Sequence, residues 1–320
     1  MEYRKLGLTD LMVSRLGFGC WGIGGHGYGR VSDEESIYAI RKALDLGINF
    51  FDTADVYGFG HSEEILSKAL GSERKKVVIA TKFGVSWDTS GKTFKDCSPK
   101  RINEALETSL SRLQLDCVPL YQIHWYDGIT PISEIINTLN KCQEAGKIQY
   151  IGCSNFPSEL ILKFLKIQHI KSLQALFNII EKDFEPDILR FSTEFHMGAI
   201  VYGVLARGLL TGKYTLESKF GGNDTRSRDN NFYGERLDRY LKVVDELKRI
   251  GRWYHKTPSQ VAIRWVLEDL RSGLRAMFSR GRKGISLFES SRGTSDFTRS
   301  SRSGKQGIGT GILSHSQEYY

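Results

Sequence analysis

The sequence predicts an α/β protein built as a closed parallel β/α barrel, and three observations carry that prediction. Seven short apolar runs alternate with longer stretches of helical periodicity through the first 270 residues. The runs are rich in β-branched and aromatic residues and show little polar alternation, as expected of strands buried on both faces. No polar linker interrupts the series. Alternating β and α units imply a parallel sheet, either doubly wound or closed on itself, and an unbroken row of similar units favours closure.

The expected strands, in order, are LGFGC (16–20), INFFDT (48–53), VVIATK (77–82), VPLYQIH (118–124), IQYIGCS (148–154), SLQALFN (172–178) and GAIVYG (198–203). Ahead of them, YRKL and LMVS flank a GLTD turn and predict a short hairpin. Ser32-Asp33-Glu34-Glu35 fits a capping box before an amphipathic helix that ends near Gly47. Ser98-Pro99 starts another, with proline at the first helical position. Further helices are expected from PISEIINTLNKCQEAG, ending at Gly146, and from Thr257-Pro258 onwards. FFDTADVYGFGHSEE reads as a strand end and a loop leading into a helix.

Composition narrows the function. No apolar run approaches the roughly 18–20 residues of a membrane span, and MEYRKLGLTDL lacks the apolar core of a signal peptide. Five scattered cysteines with no C-x-x-C pair read as reduced thiols in a cytoplasmic protein, with no metal site. The net charge of +8 is uneven: residues 271–320 carry nine basic and three acidic residues, leaving +2 for the rest. A nucleic-acid role is therefore not expected of the main domain, and RSSRSGK in the tail reads as a solvated segment. The expected domains are a barrel over 1–270, reaching about 280 if LRAMF forms an eighth strand, and a mobile Ser/Gly/Arg-rich tail over 271–320.

The stretch LGFGCWGIGGHGYG contains two G-x-G-x-x-G matches, which raises a nucleotide-binding Rossmann turn. That fingerprint needs a helix beginning inside the glycine turn and an acid about 20 residues on. Here the helix waits until after Ser32, and Asp52 lies 30 or more residues past either start. Both matches are decoys, and the glycines instead loosen a loop at the barrel mouth beside Cys20 and Trp21.

In a parallel barrel the C-terminal strand ends face the active site. Those positions hold Asp52, Lys82, His124, Ser154 with Asn155, Gln174 and Tyr202, and Tyr57 follows Asp52 in its loop. A lysine ending an apolar strand needs a counter-ion, and Asp52 is the natural one. A tyrosine beside that lysine has its pKa of about 10 drawn down, which suits a general acid. His124 adds a hydrogen-bond donor for a substrate oxygen. Taken together, the set suits proton donation to a carbonyl while something else supplies hydride.

FFDTADVYG, ATKFG, LYQIHW, IGCSNF and LARGLLTGKY, in this order over about residues 3–270, resemble the aldo-keto reductases, particularly the bacterial branch related to potassium-channel β subunits. The resemblance implies a (β/α)8 TIM barrel with an N-terminal hairpin closing its floor. It implies a catalytic tetrad of Asp52, Tyr57, Lys82 and His124, hydride from NADPH, and a small aldehyde or ketone as substrate. Ser154, Asn155 and Gln174 match residues that hold the nicotinamide carboxamide, and Tyr202 the aromatic against its ring. Gly203, Val204, Leu205, Ala206 and Arg207, with Lys213, match the pyrophosphate segment, and Arg226 a further cofactor contact. Cys20 and Trp21 lie beside the cofactor, and Trp21, Trp87 and Trp125 line the substrate pocket.

Two departures stand out. Gly203 and Val204 replace the family's serine and proline, a mild change where backbone N–H groups serve the phosphate. After SQVAIRWVLEDL, the family's closing motif for the adenosine 2′-phosphate is not reproduced. The alternative expectation is therefore a catalytically impaired or non-catalytic binding protein on the same scaffold, with Arg280, Arg282 and Lys283 as chance substitutes. The abrupt change at residue 271 is what a shifted reading frame or a replaced 3′ end would produce.

Overall fold

A computed structural model describes residues 1–25, 31–222, 224–269 and the backbone of 275–278. The chain opens with an antiparallel hairpin of β1 (Tyr3–Lys5) and β2 (Met12–Ser14). Then come β3 (Leu16–Gly19), α1 (Asp33–Asp45), β4 (Phe50–Asp52), α2 (His61–Leu70) and β5 (Val78–Phe83). A second antiparallel hairpin, β6 (Val85–Trp87) and β7 (Thr93–Lys95), leads into α3 (Pro99–Leu113). The series continues with β8 (Val118–Ile123), α4 (Ile132–Glu144), β9 (Ile148–Ser154), α5 (Ser158–Leu165), β10 (Ser172–Leu176) and α6 (Glu185–Thr193). It ends with β11 (Gly198–Tyr202), α7 (Gly234–Tyr254), α8 (Pro258–Asp269) and β12 (Arg275–Phe278).

Parallel pairing runs β3-β4-β5-β8-β9-β10-β11-β12 and returns to β3, so eight strands close a barrel. All seven expected runs form strands within it. The eighth is RAMF, whose backbone pairs with Ile200 and Val201 on one side and with Leu16, Gly17 and Phe18 on the other. The tail beyond it, with Arg280, Arg282, Lys283 and the expected mobility of 271–320, lies outside the described residues. The β6–β7 hairpin was not expected from the sequence. It forms because V-S-W and T-F-K alternate around a turn that the Asp88 carboxylate closes onto the N–H groups of Ser90 and Lys92.

Helix starts follow their capping chemistry. Ser32 accepts the N–H of Glu35 to begin α1, and Ser98 accepts that of Arg101 to begin α3, with Pro99 behind it. The helices cover the outside of the sheet, and the inside grades from apolar to polar. At the floor, Phe50, Ala80, Leu120 and Ile200 pack with Leu6, Leu11 and Val13 from the first hairpin. Each large side chain buried there contributes about 1.5–3 kcal/mol. One layer up, two residues along β4, β5 and β8, the barrel holds Asp52, Lys82 and Gln122, joined there by Gln174 of β10, all buried. The hairpin thus seals one end with hydrocarbon and leaves the charged layer facing the other.

Candidate active site

Lys82 is the penultimate residue of β5 and is fully buried, so its ammonium must be paired. Its Nζ donates to Asp52 Oδ1 at 2.6 Å and to the Thr53 carbonyl at 2.7 Å. The third contact is the Tyr57 hydroxyl at 3.4 Å. An ammonium has three protons and here meets three acceptors, one of them at the edge of the pocket. Asp52 is held from its other side: Oδ2 accepts from Gln122 Nε2 at 3.1 Å and Gln174 Nε2 at 2.8 Å.

Tyr57 is half-buried on the β4–α2 loop, and its ring meets His124 edge-on with centroids 5.7 Å apart. Its position depends on a close backbone approach. A Cβ at Gly24 would sit 2.6 Å from the Gly58 nitrogen, and one at Gly58, where φ is +60°, would sit 2.5 Å from the Gly24 carbonyl oxygen. Glycine at both places lets the Trp21 turn press on the Tyr57 turn, with the two rings 6.5 Å apart. Gly24 belongs to the glycine-rich stretch and closes a short 3-10 turn, Trp21–Gly24, whereas the first α-helix, α1, starts only after Ser32. His124 continues β8 by donating its N–H to Phe83 O at 2.7 Å. Burial first, then the Lys82 charge, pushes its imidazole well below the usual histidine range. It is therefore neutral at physiological pH.

The remaining expected residues fall into three groups. Ser154, Asn155, Gln174 and Tyr202 form one wall. Asn155 Nδ2 donates to His124 O and Ser154 Oγ at 3.2 and 3.0 Å, and Asn155 Oδ1 accepts the Tyr202 hydroxyl at 2.8 Å. Ser154 Oγ lies 3.4 Å from Gln174 Oε1. Trp87 and Trp125 pack with Tyr57 against Ala54, Val56 and Val85. Cys20 is fully buried, and desolvation raises its thiol far above the ordinary range, so it is a neutral group beside Asp52, whose carbonyl accepts its N–H at 2.8 Å.

The third group is the turn after β11. Gly203 has φ +68° and a Cβ there would meet Leu176 at 2.4 Å, which explains glycine at this departure from the family pattern. Val204 and Ala206 are buried, Leu205 is half-buried, and Ala206, Arg207 and Gly208 all have positive φ. Arg207 donates to Asp229 at 2.7 Å and lies 3.5 Å from Glu181. Lys213 is exposed and lies over the Tyr214 ring at 4.6 Å. Arg226 is buried, grips Asp224 and the Tyr214 hydroxyl, and lies 5.0 Å from the Phe220 ring. The chemistry of these groups fits a nicotinamide dinucleotide: amides and a hydroxyl suit a carboxamide, and a kinked backbone turn beside Arg207 and Lys213 suits a pyrophosphate.

Sequence reasoning missed Gln122, although its signal was present: it sits two residues before His124 on a strand, so both side chains face the same interior. It also missed two buried ion pairs behind the site, Asp55–Arg101 and Glu63–Arg112.

A family model for the Aldo/keto reductase family matches residues 15–291. Aldo-keto reductase YhdN of Bacillus subtilis is 39% identical over 272 residues, covering 84% of this chain and 82% of that protein. The NADH-specific methylglyoxal reductase of Escherichia coli is 34% identical over 287 residues, covering 84% and 86%. Aldo-keto reductase yakc [NADP(+)] of Schizosaccharomyces pombe is 33% identical over 270 residues, covering 82% and 78%. Among solved structures, glycerol dehydrogenase AKR11B4 of Gluconobacter oxydans superposes with a TM-score of 0.81 at 37% identity, covering 90% of this chain and 88% of that one. The family match runs about twenty residues past the point where the expected resemblance ended, and takes in the closing strand. With its barrel, its buried Lys82–Asp52 pair at the mouth and these relatives, the chain belongs to the aldo/keto reductase family.

Proposed function

We propose that this chain reduces aldehydes or ketones to alcohols, reversibly, with NADPH as cofactor and Tyr57 as general acid. The observation that carries the reading is the Tyr57 hydroxyl, 3.4 Å from the Lys82 ammonium and beside the His124 ring at the barrel mouth. The nicotinamide supplies hydride to the carbonyl carbon when bound. Tyr57 gives its phenolic proton to the carbonyl oxygen, and Lys82 stabilises the phenolate left behind. Asp52, fixed by Gln122 and Gln174, keeps that ammonium in place. His124, being neutral, donates a hydrogen bond to the same oxygen without acting as a competing acid. Trp21, Trp87 and Trp125 exclude water from the reacting oxygen. Ser154, Asn155, Gln174 and Tyr202 would hold the nicotinamide end, and Gly203–Arg207 with Lys213 and Arg226 the phosphates.

The test is a titration of NADPH and of NADH, followed by protein fluorescence, then addition of a reactive aromatic aldehyde while the absorbance of the reduced cofactor is read. Tighter binding of NADPH with turnover abolished by Tyr57→Phe is the expected result. Preference for NADH would revise the cofactor, since one relative is named for each. Binding of neither would favour a non-catalytic scaffold.

A further inference from the structure

We propose that Asp55 and Arg101 form a latch that fixes the Tyr57 turn against the Trp87 wall, making Arg101 a positioning residue for the reaction. The role in turnover rests on the reductase reading above, whereas the latch itself is a property of the unliganded chain. Asp55 lies two residues before Tyr57, with its side chain 1% exposed. Arg101 comes from the first turn of α3, 46 residues further along the chain. Its Nη2 donates to Asp55 Oδ2 and to the Val85 carbonyl at 3.1 Å, and its guanidinium lies 5.2 Å from the Trp87 ring centroid. Trp87 in turn packs on Phe59, ring centroids 5.3 Å apart.

These contacts close a circuit. Asp55 and Phe59 flank Tyr57 on either side, one tied to Arg101 directly and the other through Trp87. A shift of the guanidinium therefore moves both the proton donor and one face of the pocket. The reaction described above uses neither Asp55 nor Arg101, and an ion pair this buried is costly to desolvate.

The latch is titratable. Burial pushes the Asp55 carboxyl up to about 7 against the pull of Arg101. The other groups facing it are Glu63 of α2, which raises it further, and Arg112 of α3, which lowers it. Tyr121 of β8 also faces it, and burial keeps that phenol protonated. Above this pH the pair is ionic and Arg101 is held; below it Asp55 is neutral and the grip relaxes.

The test begins without ligand: tryptophan emission across about pH 5.5–9 in the wild type, Asp55→Asn and Trp87→Phe. The expected result is a transition near pH 7 in the wild type that is absent from both variants. Persistence in Asp55→Asn would overturn the latch. In turnover, the wild-type KM for a bulky aromatic aldehyde should rise as pH falls through 7, whereas the KM of Asp55→Asn stays flat. Arg101→Met should raise that KM about tenfold and also lower kcat, more for the bulky aldehyde than for a small one, and Arg101→Lys should recover part of both losses. Equal loss of kcat and KM effects for all substrates, unrelieved by lysine, would reduce Arg101 to a structural residue and refute the positioning role. If Arg101→Met does not fold, Asp55→Asn still decides the matter. An emission transition lost in Asp55→Asn, with no turnover by the wild type, would reject the reductase reading and leave the latch standing.

Discussion

Replacing Lys82 by methionine tests the centre of the site, because it nearly keeps the side-chain volume while removing the charge and its N–H donors. At 3.4 Å from the Tyr57 hydroxyl, an effective dielectric of about 20 gives about 5 kcal/mol of attraction to a full negative charge on that oxygen. Tyr57 is half-buried, and water on its open side reduces this to about 3–4 kcal/mol, or two to three orders of magnitude in kcat. The interaction exists only once the proton has left, so the loss falls on kcat and not on substrate affinity. The same change strands Asp52 as an unpaired buried charge, which costs about 3–5 kcal/mol of stability. The paired variant Asp52→Asn/Lys82→Met separates the two effects. It should recover most of the thermal midpoint, because Gln122 and Gln174 can donate to the new amide oxygen, yet turnover should stay low. Single-turnover kinetics at saturating cofactor, read beside thermal unfolding, would check both. A folded Lys82→Met protein with kcat within tenfold of the wild type would refute the assignment of Lys82 as the stabiliser of the phenolate.

Other outcomes follow from the same geometry. His124 has a depressed pKa, so its stabilising contribution is present above the unfolded value near 6.5 and is lost as pH falls below it. Thermal midpoints measured from about pH 7.5 to 5 should therefore decline more steeply for the wild type than for His124→Gln. Asp55 has the opposite sign for a carboxyl: its folded value of about 7 means the charged form is penalised, and the penalty disappears as pH falls through 7 towards 4. Asp55→Asn should accordingly match or exceed wild-type stability at pH 8.5 and lose that advantage near pH 5. Gly58→Ala places a methyl 2.5 Å from the Gly24 carbonyl at a positive φ. It should cost about 1–3 kcal/mol in denaturant unfolding and lower kcat by displacing Tyr57. Gln122→Leu removes one of the two amide donors to Asp52 Oδ2 and should cost about 1–3 kcal/mol by the same measurement.

What a strand's period can reveal was visible without coordinates. Asp52, Lys82 and His124 end strands that read as continuous apolar runs, and the side-chain period of two then aims them at one end of a barrel. Gln122 obeys the same rule, two residues before His124 on its strand, and turns inward with it. The decoy glycines were also legible, since the capping residue Ser32 fixes where α1 begins.

Other features were hidden because they join distant parts of the chain. Nothing local announces that Gly24 and Gly58 touch, that Asp55 is gripped by Arg101, or that Arg112 pairs with Glu63. Closure of the barrel by Arg275–Phe278 was half legible: LRAMF offered a short candidate strand in polar surroundings, and pairing between β11 and β3 makes it one. The sequence by itself determined the barrel and the charged layer at its mouth with Asp52, Lys82 and Gln174, because periodicity and capping are local properties. The tertiary structure alone decided how Tyr57 is held and that Asp55 is buried with Arg101 and Glu63 with Arg112, because those depend on backbone approaches and ion pairs between segments 30 or more residues apart.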